Sequence, residues 1–214
     1  MASETAPETG PKTGPETGPE AGHEPTSSDA ELIGTCRQAS RAASDAFAAL
    51  YRRHAGAVLA FLRALAPGDE HAARDALQET FLRFYRSLER FDDARPLRPW
   101  LFRIARNVVF DHKKKASARE LPHEDELLVD AAGASPAAPP PEAASRAERA
   151  ALLRGAVSRL PEPERDVFLL KHDQELSYAE VAQALGCSLR TAKYRMKSAL
   201  ERLSAEAERL GVGE

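Results

Sequence analysis

A helix-turn-helix pattern at residues 177–203 constrains the fold of this chain more than any other feature. Ser177 and Glu180 have the spacing of a capping box, in which each side chain satisfies a free backbone amide at a helix start. Gly186 then supplies the positive φ of a tight turn, and Ser188 can cap a second helix. These signals predict a short helix, a turn and a second helix.

The second helix separates an apolar stripe from a basic outer face. The predicted stripe consists of Ala192, Met196, Ala199, Leu200 and Leu203. The outer face carries Arg190, Thr191, Lys193, Tyr194 and Lys197, with Arg195 beside it. A helix of this kind can enter the DNA major groove, where Arg and Lys reach guanine edges or phosphates. An ordinary helical hairpin with a solvated charged face is the alternative reading of this pattern.

A second block, residues 40–116, predicts three amphipathic helices. Apolar residues recur at intervals of three and four, and Ser44 or Asp45 can cap the first helix. Pro96 and Pro99 indicate a loop at 92–99, after which the third helix begins at Trp100. We therefore predict an all-α protein with two small helical domains, the second at 146–210, joined by a flexible linker.

Charge is segregated along the chain, although the net charge is only −3. Residues 32–118 carry sixteen Lys and Arg against nine acids, whereas residues 1–31 carry seven acids and one Lys. We expect a disordered acidic tail at 1–39, where Thr-Gly-Pro repeats, and a Pro/Ala-rich linker at 117–145. A polyanion such as DNA would be attracted by the local positive charge of the basic block, whatever the net charge of the whole chain.

Several function classes are disfavoured by the composition. Cys36 and Cys187 lie in no zinc-binding spacing, and we expect no metal and no cofactor. No nucleophile–base set or phosphate-binding loop is recognisable, so we expect a protein that is not an enzyme. Without a signal peptide or a long apolar run, we expect a cytoplasmic protein that does not insert into membranes.

The third helix and its flanks mix basic and aromatic side chains, which suits single-stranded nucleic acid. The basic residues from 95 to 119 are Arg95, Arg98, Arg103, Arg106, Lys113, Lys114, Lys115 and Arg119. The ring of Trp100 favours a place in the core, and the three consecutive lysines also suit a helix C-terminus.

Both blocks together resemble the sigma-70 family, specifically its two-domain extracytoplasmic-function (ECF) sigma factors. The resemblance rests on DALQETFL at 75–82, WLFRIARN at 100–107, LPEPER at 160–165, LSYAEVA at 176–182 and TAKYR at 191–195. These segments are similar to regions 2 and 4 of the family, in the same order. The resemblance implies promoter-specific transcription initiation with core RNA polymerase, contacted at its β′ clamp helices and β flap. It also implies an anti-sigma partner.

The resemblance implies a role for three groups of residues. Those implied to bind polymerase are Asp75, Gln78, Glu79 and Leu82. Those implied to recognise and melt the −10 element as single-stranded DNA are Arg95, Arg98, Trp100, Arg103, Arg106, Asn107, Lys113 and Lys114. Those implied to read the −35 element as duplex, or to cap the helices that read it, are Ser177, Ser188, Arg190, Thr191, Lys193, Tyr194, Arg195 and Lys197.

Three departures from the family can affect promoter choice, and the first is that Pro96 and Pro99 flank an unusual −10 loop. Tyr194 stands where a small Ser is usual and Arg190 where Gly is common, both on the groove-facing side. Two alternatives stay open from the sequence. One is a helix-turn-helix regulator of the response-regulator type. The other is a sigma-mimicking interaction protein that keeps the polymerase face and lacks promoter contacts.

Overall fold

The computed structural model describes residues 27–38, 40–119 and 141–210, and this part of the chain contains α-helices and no strand. None of its helices has the length and apolar character needed to cross a membrane. The N-terminal domain contains α1 (Asp29–Cys36), α2 (Arg41–Leu65), α3 (Glu70–Ser87) and α4 (Leu97–Arg119). The C-terminal domain contains α5 (Pro141–Ser158), α6 (Glu162–Phe168), α7 (Tyr178–Leu185) and α8 (Leu189–Leu210). The prediction of an all-α fold is confirmed.

The core of the N-terminal domain is built from large apolar side chains on α2, α3 and α4. Phe61 and Leu62 of α2, Phe84 of α3, and Leu101 and Phe102 of α4 are all at most 2% exposed. The rings of Phe61 and Phe102 meet edge-on with centroids 5.3 Å apart. Each helix thus buries the apolar stripe that its three-and-four periodicity predicts.

Helix α1 corrects the predicted tail. It lies within residues 1–39, so the prediction of disorder is wrong for residues 29–36. Ser28 and Glu31 form a capping box of the same kind as the one at Ser177. Leu32 and Ile33 are buried against the domain. The predicted disorder of residues 1–26 lies outside the described residues.

Three predicted boundaries also move. Helix α2 begins at Arg41 after Ser40, not at Ser44 or Asp45. Helix α4 begins at Leu97, so the predicted loop 92–99 is wrong for its last three residues. The predicted linker loses residues 117–119 to α4 and residues 141–145 to α5. Its remaining residues, 120–140, lie outside the described part of the chain.

The helix-turn-helix forms as predicted from its capping residues. The Ser177 side chain accepts from the Glu180 amide, and Gly186 adopts a left-handed conformation with φ 62°. The Thr191 amide donates to Ser188 Oγ at 3.0 Å, which caps α8. One core residue was predicted wrongly, because Leu200 is 50% exposed rather than buried.

The two domains pack against each other. Helix α7 lies along α4, and buried apolar side chains of both domains form one continuous cluster. This packing decides which surfaces of α4 and α8 face solvent.

Candidate polymerase and promoter interfaces

The four residues predicted to bind polymerase share one surface of α3. Asp75 and Gln78 are exposed, Leu82 is 43% exposed, and Glu79 is half-buried. Their spacing of three, four and seven residues places them on consecutive turns of one helix face. This face combines an apolar side chain with polar groups, which is the mixture expected of a protein-binding surface.

A charge network fixes Glu79 within this face. Arg83 Nε donates to Glu79 Oε1 at 2.8 Å, and Arg83 Nη1 donates to Asp111 Oδ2 of α4 at 2.6 Å. The hydrogen bonds from Arg83 lower the pKa of Glu79 and of Asp111 below their ordinary values. Glu79 therefore helps to tie α3 to α4, as well as lying on the predicted polymerase surface.

The structure exposes two aromatic residues that the sequence analysis did not assign to any binding surface. Tyr85 on α3 is 54% exposed, and Tyr51 on α2 is 38% exposed. Both rings rest on the core, with centroids 5.2 Å from Phe47 and 4.7 Å from Phe81, respectively. Tyr85 lies three residues after Leu82, so helical spacing could have placed it beside that side chain.

One of the residues predicted to bind −10 DNA lies in the loop after α3, and the others are distributed along α4. Arg95 is exposed and lies 3.2 Å from Asp92 within that loop. Trp100 packs its ring against Phe91 with centroids 5.9 Å apart, and its buried Nε1 has no hydrogen-bond partner. This packing agrees with the prediction that the Trp100 ring belongs to the core.

Three other predicted −10 residues are engaged by the C-terminal domain. Arg106 Nε donates to Asp166 Oδ2 at 2.5 Å, and Lys113 Nζ donates to Glu162 Oε1 at 3.0 Å. Arg98 Nη2 donates to the backbone carbonyl of Gln174 at 2.7 Å. The remaining predicted −10 residues on α4 are exposed: Arg103, Asn107 and Lys114.

Some of the predicted −35 residues cap the two helices of the helix-turn-helix, and others face outward. Ser177 and Ser188 cap α7 and α8, and the Thr191 hydroxyl lies 2.8 Å from Ser188 Oγ. Arg195 is half-buried. The outward-facing residues are Arg190, Lys193, Tyr194 and Lys197, all exposed.

Tyr194 is the most prominent of the outward-facing residues. At 72% it is the most exposed of the large hydrophobic residues in the described part of the chain. Lys193 lies with Nζ 6.0 Å from the Tyr178 ring of α7, and Lys197 pairs weakly with Glu201 at 3.7 Å. The exposed surface of α8 is therefore cationic and aromatic, and among the described residues it takes no part in the interdomain ion pairs that engage α4.

An all-helical fold that joins a basic domain to a capped helix-turn-helix defines a class of DNA-binding proteins. Within that class, two family descriptions match this chain. Sigma-70 region 2 matches residues 50–119, and Sigma-70, region 4 matches residues 150–203.

Similar proteins with the same family name match over most of the chain. The ECF RNA polymerase sigma factor SigM of Bacillus subtilis is 32% identical over 159 residues, which are 73% of this chain and 91% of SigM. The ECF RNA polymerase sigma factor SigL of Mycobacterium tuberculosis is 32% identical over 165 residues, which are 77% of this chain and 90% of SigL.

Two solved structures share the fold. CnrH in complex with the cytosolic domain of CnrY gives a TM-score of 0.62 at 25% identity, over 87% of this chain and 99% of CnrH. The sigma factor RpoE from Bartonella quintana, in complex with the anti-sigma factor NepR, gives 0.56 at 22% identity, over 78% of this chain and 98% of RpoE. The chain belongs to the ECF sigma factors of the sigma-70 family. It directs promoter-specific transcription initiation through regions 2 and 4, which are its N-terminal and C-terminal domains.

Proposed function

We propose that the chain works as a two-part promoter clamp, with α3 docked on core RNA polymerase, α4 on the −10 strand and α8 on the −35 duplex. The observation that carries this assignment is the solvent-exposed face of α8, with Arg190, Lys193, Tyr194 and Lys197 side by side. A helix of this kind beside a short capped helix matches the geometry with which helix-turn-helix proteins enter the major groove.

At the −35 element, Arg190 and Lys193 lie near the N-terminus of α8, where a recognition helix contacts base edges. Their charges can reach guanine O6 and N7 or the flanking phosphates. Tyr194 lies between them and Lys197 on the exposed face, so its ring would meet base edges or sugars instead of a charged group. We therefore propose that Tyr194 and Arg190 set the sequence preference of this factor.

At the −10 element, the loop around Arg95 and the exposed face of α4 would hold an unpaired strand. Arg103, Asn107 and Lys114 face solvent and can neutralise phosphates or pair with a base. Taking a base out of the stack costs a few kcal/mol, and polymerase binding together with −35 docking would offset that cost. The protein makes and breaks no covalent bond in this scheme, so we propose that it is not an enzyme.

Partners follow from the same assignment. We propose that the α3 surface, from Asp75 to Leu82 and Tyr85, contacts the β′ clamp helices, and that the C-terminal domain contacts the β flap. An anti-sigma protein is a further proposed partner, because proteins with the same fold form complexes of this kind, CnrH with the cytosolic domain of CnrY and RpoE with the anti-sigma factor NepR. Polymerase and promoter DNA place this activity in the cytoplasm.

The test is reconstituted transcription. Sequencing RNA after overproduction of the chain would supply its promoters, and purified chain with core polymerase would be assayed on one of them. Arg190→Ala/Lys193→Ala should remove the dependence on the −35 sequence, and Arg103→Ala/Asn107→Ala the dependence on the −10 sequence. Arg154→Ala, an exposed arginine on α5 outside the proposed α3 polymerase surface and the proposed DNA surfaces, is the matched control.

Two results would contradict the proposal. Promoter dependence that survives both double variants would show that these side chains are not the readers. A chain that binds duplex promoter DNA tightly on its own and leaves core polymerase inert would favour the helix-turn-helix regulator.

A further inference from the structure

Two ion pairs join the domains beside the apolar packing between them, with the cations on one domain and the anions on the other. The cations, Arg106 and Lys113, belong to α4, and the anions, Asp166 and Glu162, belong to α6. The atoms that meet are 2.5 Å apart in the first pair and 3.0 Å apart in the second. Arg98 adds a third contact to the carbonyl of Gln174, just beyond α6.

The residues of the two ion pairs are spaced so that each helix presents its two charges on one face. Glu162 and Asp166 are four residues apart and lie on one face of α6. Arg106 and Lys113 are seven residues apart, two turns along one face of α4. Two carboxylates on one short helix thus pair with Arg106 and Lys113, two of the side chains that the family resemblance assigns to −10 DNA.

We propose that α6 carries an intramolecular substitute for DNA phosphates, which occupies the −10 binding side chains of α4 in the free chain. This inference rests on the proposed function, because it takes Arg106 and Lys113 as contacts of the −10 strand. The carboxylates of Glu162 and Asp166 satisfy the same cations that a phosphate would. DNA and the C-terminal domain therefore compete for one surface, and the chain is closed until the domains separate.

The contact is suited to open again. The Asp166 side chain is fully buried, and its Oδ1 has no hydrogen-bond partner. A buried ion pair with an unsatisfied oxygen keeps much of its desolvation cost, so this pair adds little net stability to the apolar packing between the domains. The second pair is partly exposed, with Lys113 48% and Glu162 36% exposed, and such pairs contribute little. The two ion pairs, Arg106–Asp166 and Lys113–Glu162, are called the latch below. They oppose separation of the domains only weakly, so binding of each domain to polymerase can break them.

Closure itself can be measured without DNA. Fluorophores on Arg52→Cys in α2 and Ser204→Cys in α8, both exposed positions, would report the distance between the domains. The native thiols would be replaced by Cys36→Ala and Cys187→Ser. Glu162→Lys places two cations together and should increase the proportion of the long-distance population. Adding Lys113→Glu restores an opposite pair and should return the chain to the short distance.

The matched control is Glu208→Lys, which makes the same charge change at an exposed position near the end of α8. It should leave the distance distribution unchanged. If Glu162→Lys also leaves the distance unchanged, or if the double variant stays open, the proposed latch is wrong. Glu162 is preferred to the buried Asp166 for this test, because a partly exposed position on α6 tolerates the substitution without unfolding the domain.

Binding to a single-stranded −10 oligonucleotide tests whether closure inhibits. If about nine in ten free molecules are closed, the apparent affinity is lowered about tenfold, and Glu162→Lys should recover about that factor. Glu208→Lys should stay within about twofold of the unchanged chain, which isolates closure from simple charge. Equal gains in the two variants would overturn the inhibitory role.

Failure of the proposed function would look different. If Arg106→Ala and Lys113→Ala leave oligonucleotide affinity unchanged in the open Glu162→Lys background, the −10 assignment of these side chains is wrong. The distance change on Glu162→Lys would still be observed in that case, so the latch and the −10 assignment can fail separately.

Discussion

The two helices assigned to DNA, α4 and α8, differ in what covers them. Helix α8 presents Arg190, Lys193 and Tyr194 to solvent, whereas α4 has Arg98, Arg106 and Lys113 engaged by the C-terminal domain. Both helices are rich in basic residues, with seven Lys and Arg on α4 and six on α8. The difference shows that positive charge alone does not define an available DNA surface, because carboxylates elsewhere in the same chain can occupy it.

The largest effect that would sharpen this comparison is expected on α8. Arg190→Ala/Lys193→Ala should lower the affinity for a −35 duplex on the order of 100-fold, since each good base contact is worth about 1–3 kcal/mol. Binding to a −35 duplex and to a −10 oligonucleotide would be measured in parallel by fluorescence anisotropy. Because α8 lies outside the interdomain ion pairs, the −10 affinity should not change. An equal loss on both DNAs would break the division of labour between α4 and α8.

A smaller effect is expected on the proposed polymerase surface, which lies on α3 and not on either of the two helices assigned to DNA. Leu82→Asp should weaken binding to core polymerase about tenfold, because losing an interface anchor costs more than 1 kcal/mol and adds a charge to be desolvated. Leu152→Asp is the matched control, since Leu152 is 38% exposed on α5 against 43% for Leu82. Competition with a labelled sigma factor for core polymerase would measure both. An equal loss in the control would argue against a specific role for Leu82.

The two capping boxes offer a test of how independent the domains are. Ser28→Ala and Ser177→Ala should each cost about 1 kcal/mol of local stability, because each removes a cap from a helix start. Native-state hydrogen exchange would locate the loss in α1 for the first variant and in α7 for the second. Faster exchange in both domains from either variant would show that the closed chain unfolds as one unit.

The smallest expected effect is a contrast in pH dependence between the half-buried carboxyl group of Asp29 in the N-terminal domain and the buried one of Asp166 in the C-terminal domain. The hydrogen bond with His54 holds the pKa of Asp29 below its ordinary value, and Arg53 adds to this. Its contribution to stability is therefore present above the ordinary Asp pKa and is lost as pH falls through the lowered value. Burial raises the pKa of Asp166, against the opposing effect of Arg106. Its contribution is present below the ordinary pKa and is lost as pH rises through the raised value.

Asp29→Asn and Asp166→Asn would separate the two contributions. Unfolding free energies measured by denaturant between about pH 3 and pH 7 should show that Asp29→Asn removes a loss of stability on acidification. Asp166→Asn should remove a loss on going to higher pH. Slopes of the same sign for both carboxyl groups would contradict the assigned environments.

Much of the fold could be predicted because its signals are local. The capping box at Ser177, the left-handed Gly186 and the cap at Ser188 each act within a few residues, and the structure has all three. The same capping signal at Ser28 was missed, because it lies at the edge of a Pro- and Gly-rich acidic stretch that suggested disorder. Leu200 was misplaced because periodicity assigns a helix face but not the extent of the neighbour that covers it.

The sequence by itself determined most of the helices, the helix-turn-helix, the family and most residues of the candidate surfaces, but not α1 or Tyr85. Only the tertiary structure decided that Asp166 of α6 would be buried against Arg106, sixty residues away along the chain. The physical reason is that helix formation depends on spacings of three and four residues, whereas an ion pair between domains depends on how two complete helices are brought together. The engagement of Arg106 is a consequence of that packing, whereas the helical periodicity had already placed Tyr194 on the outer face of α8.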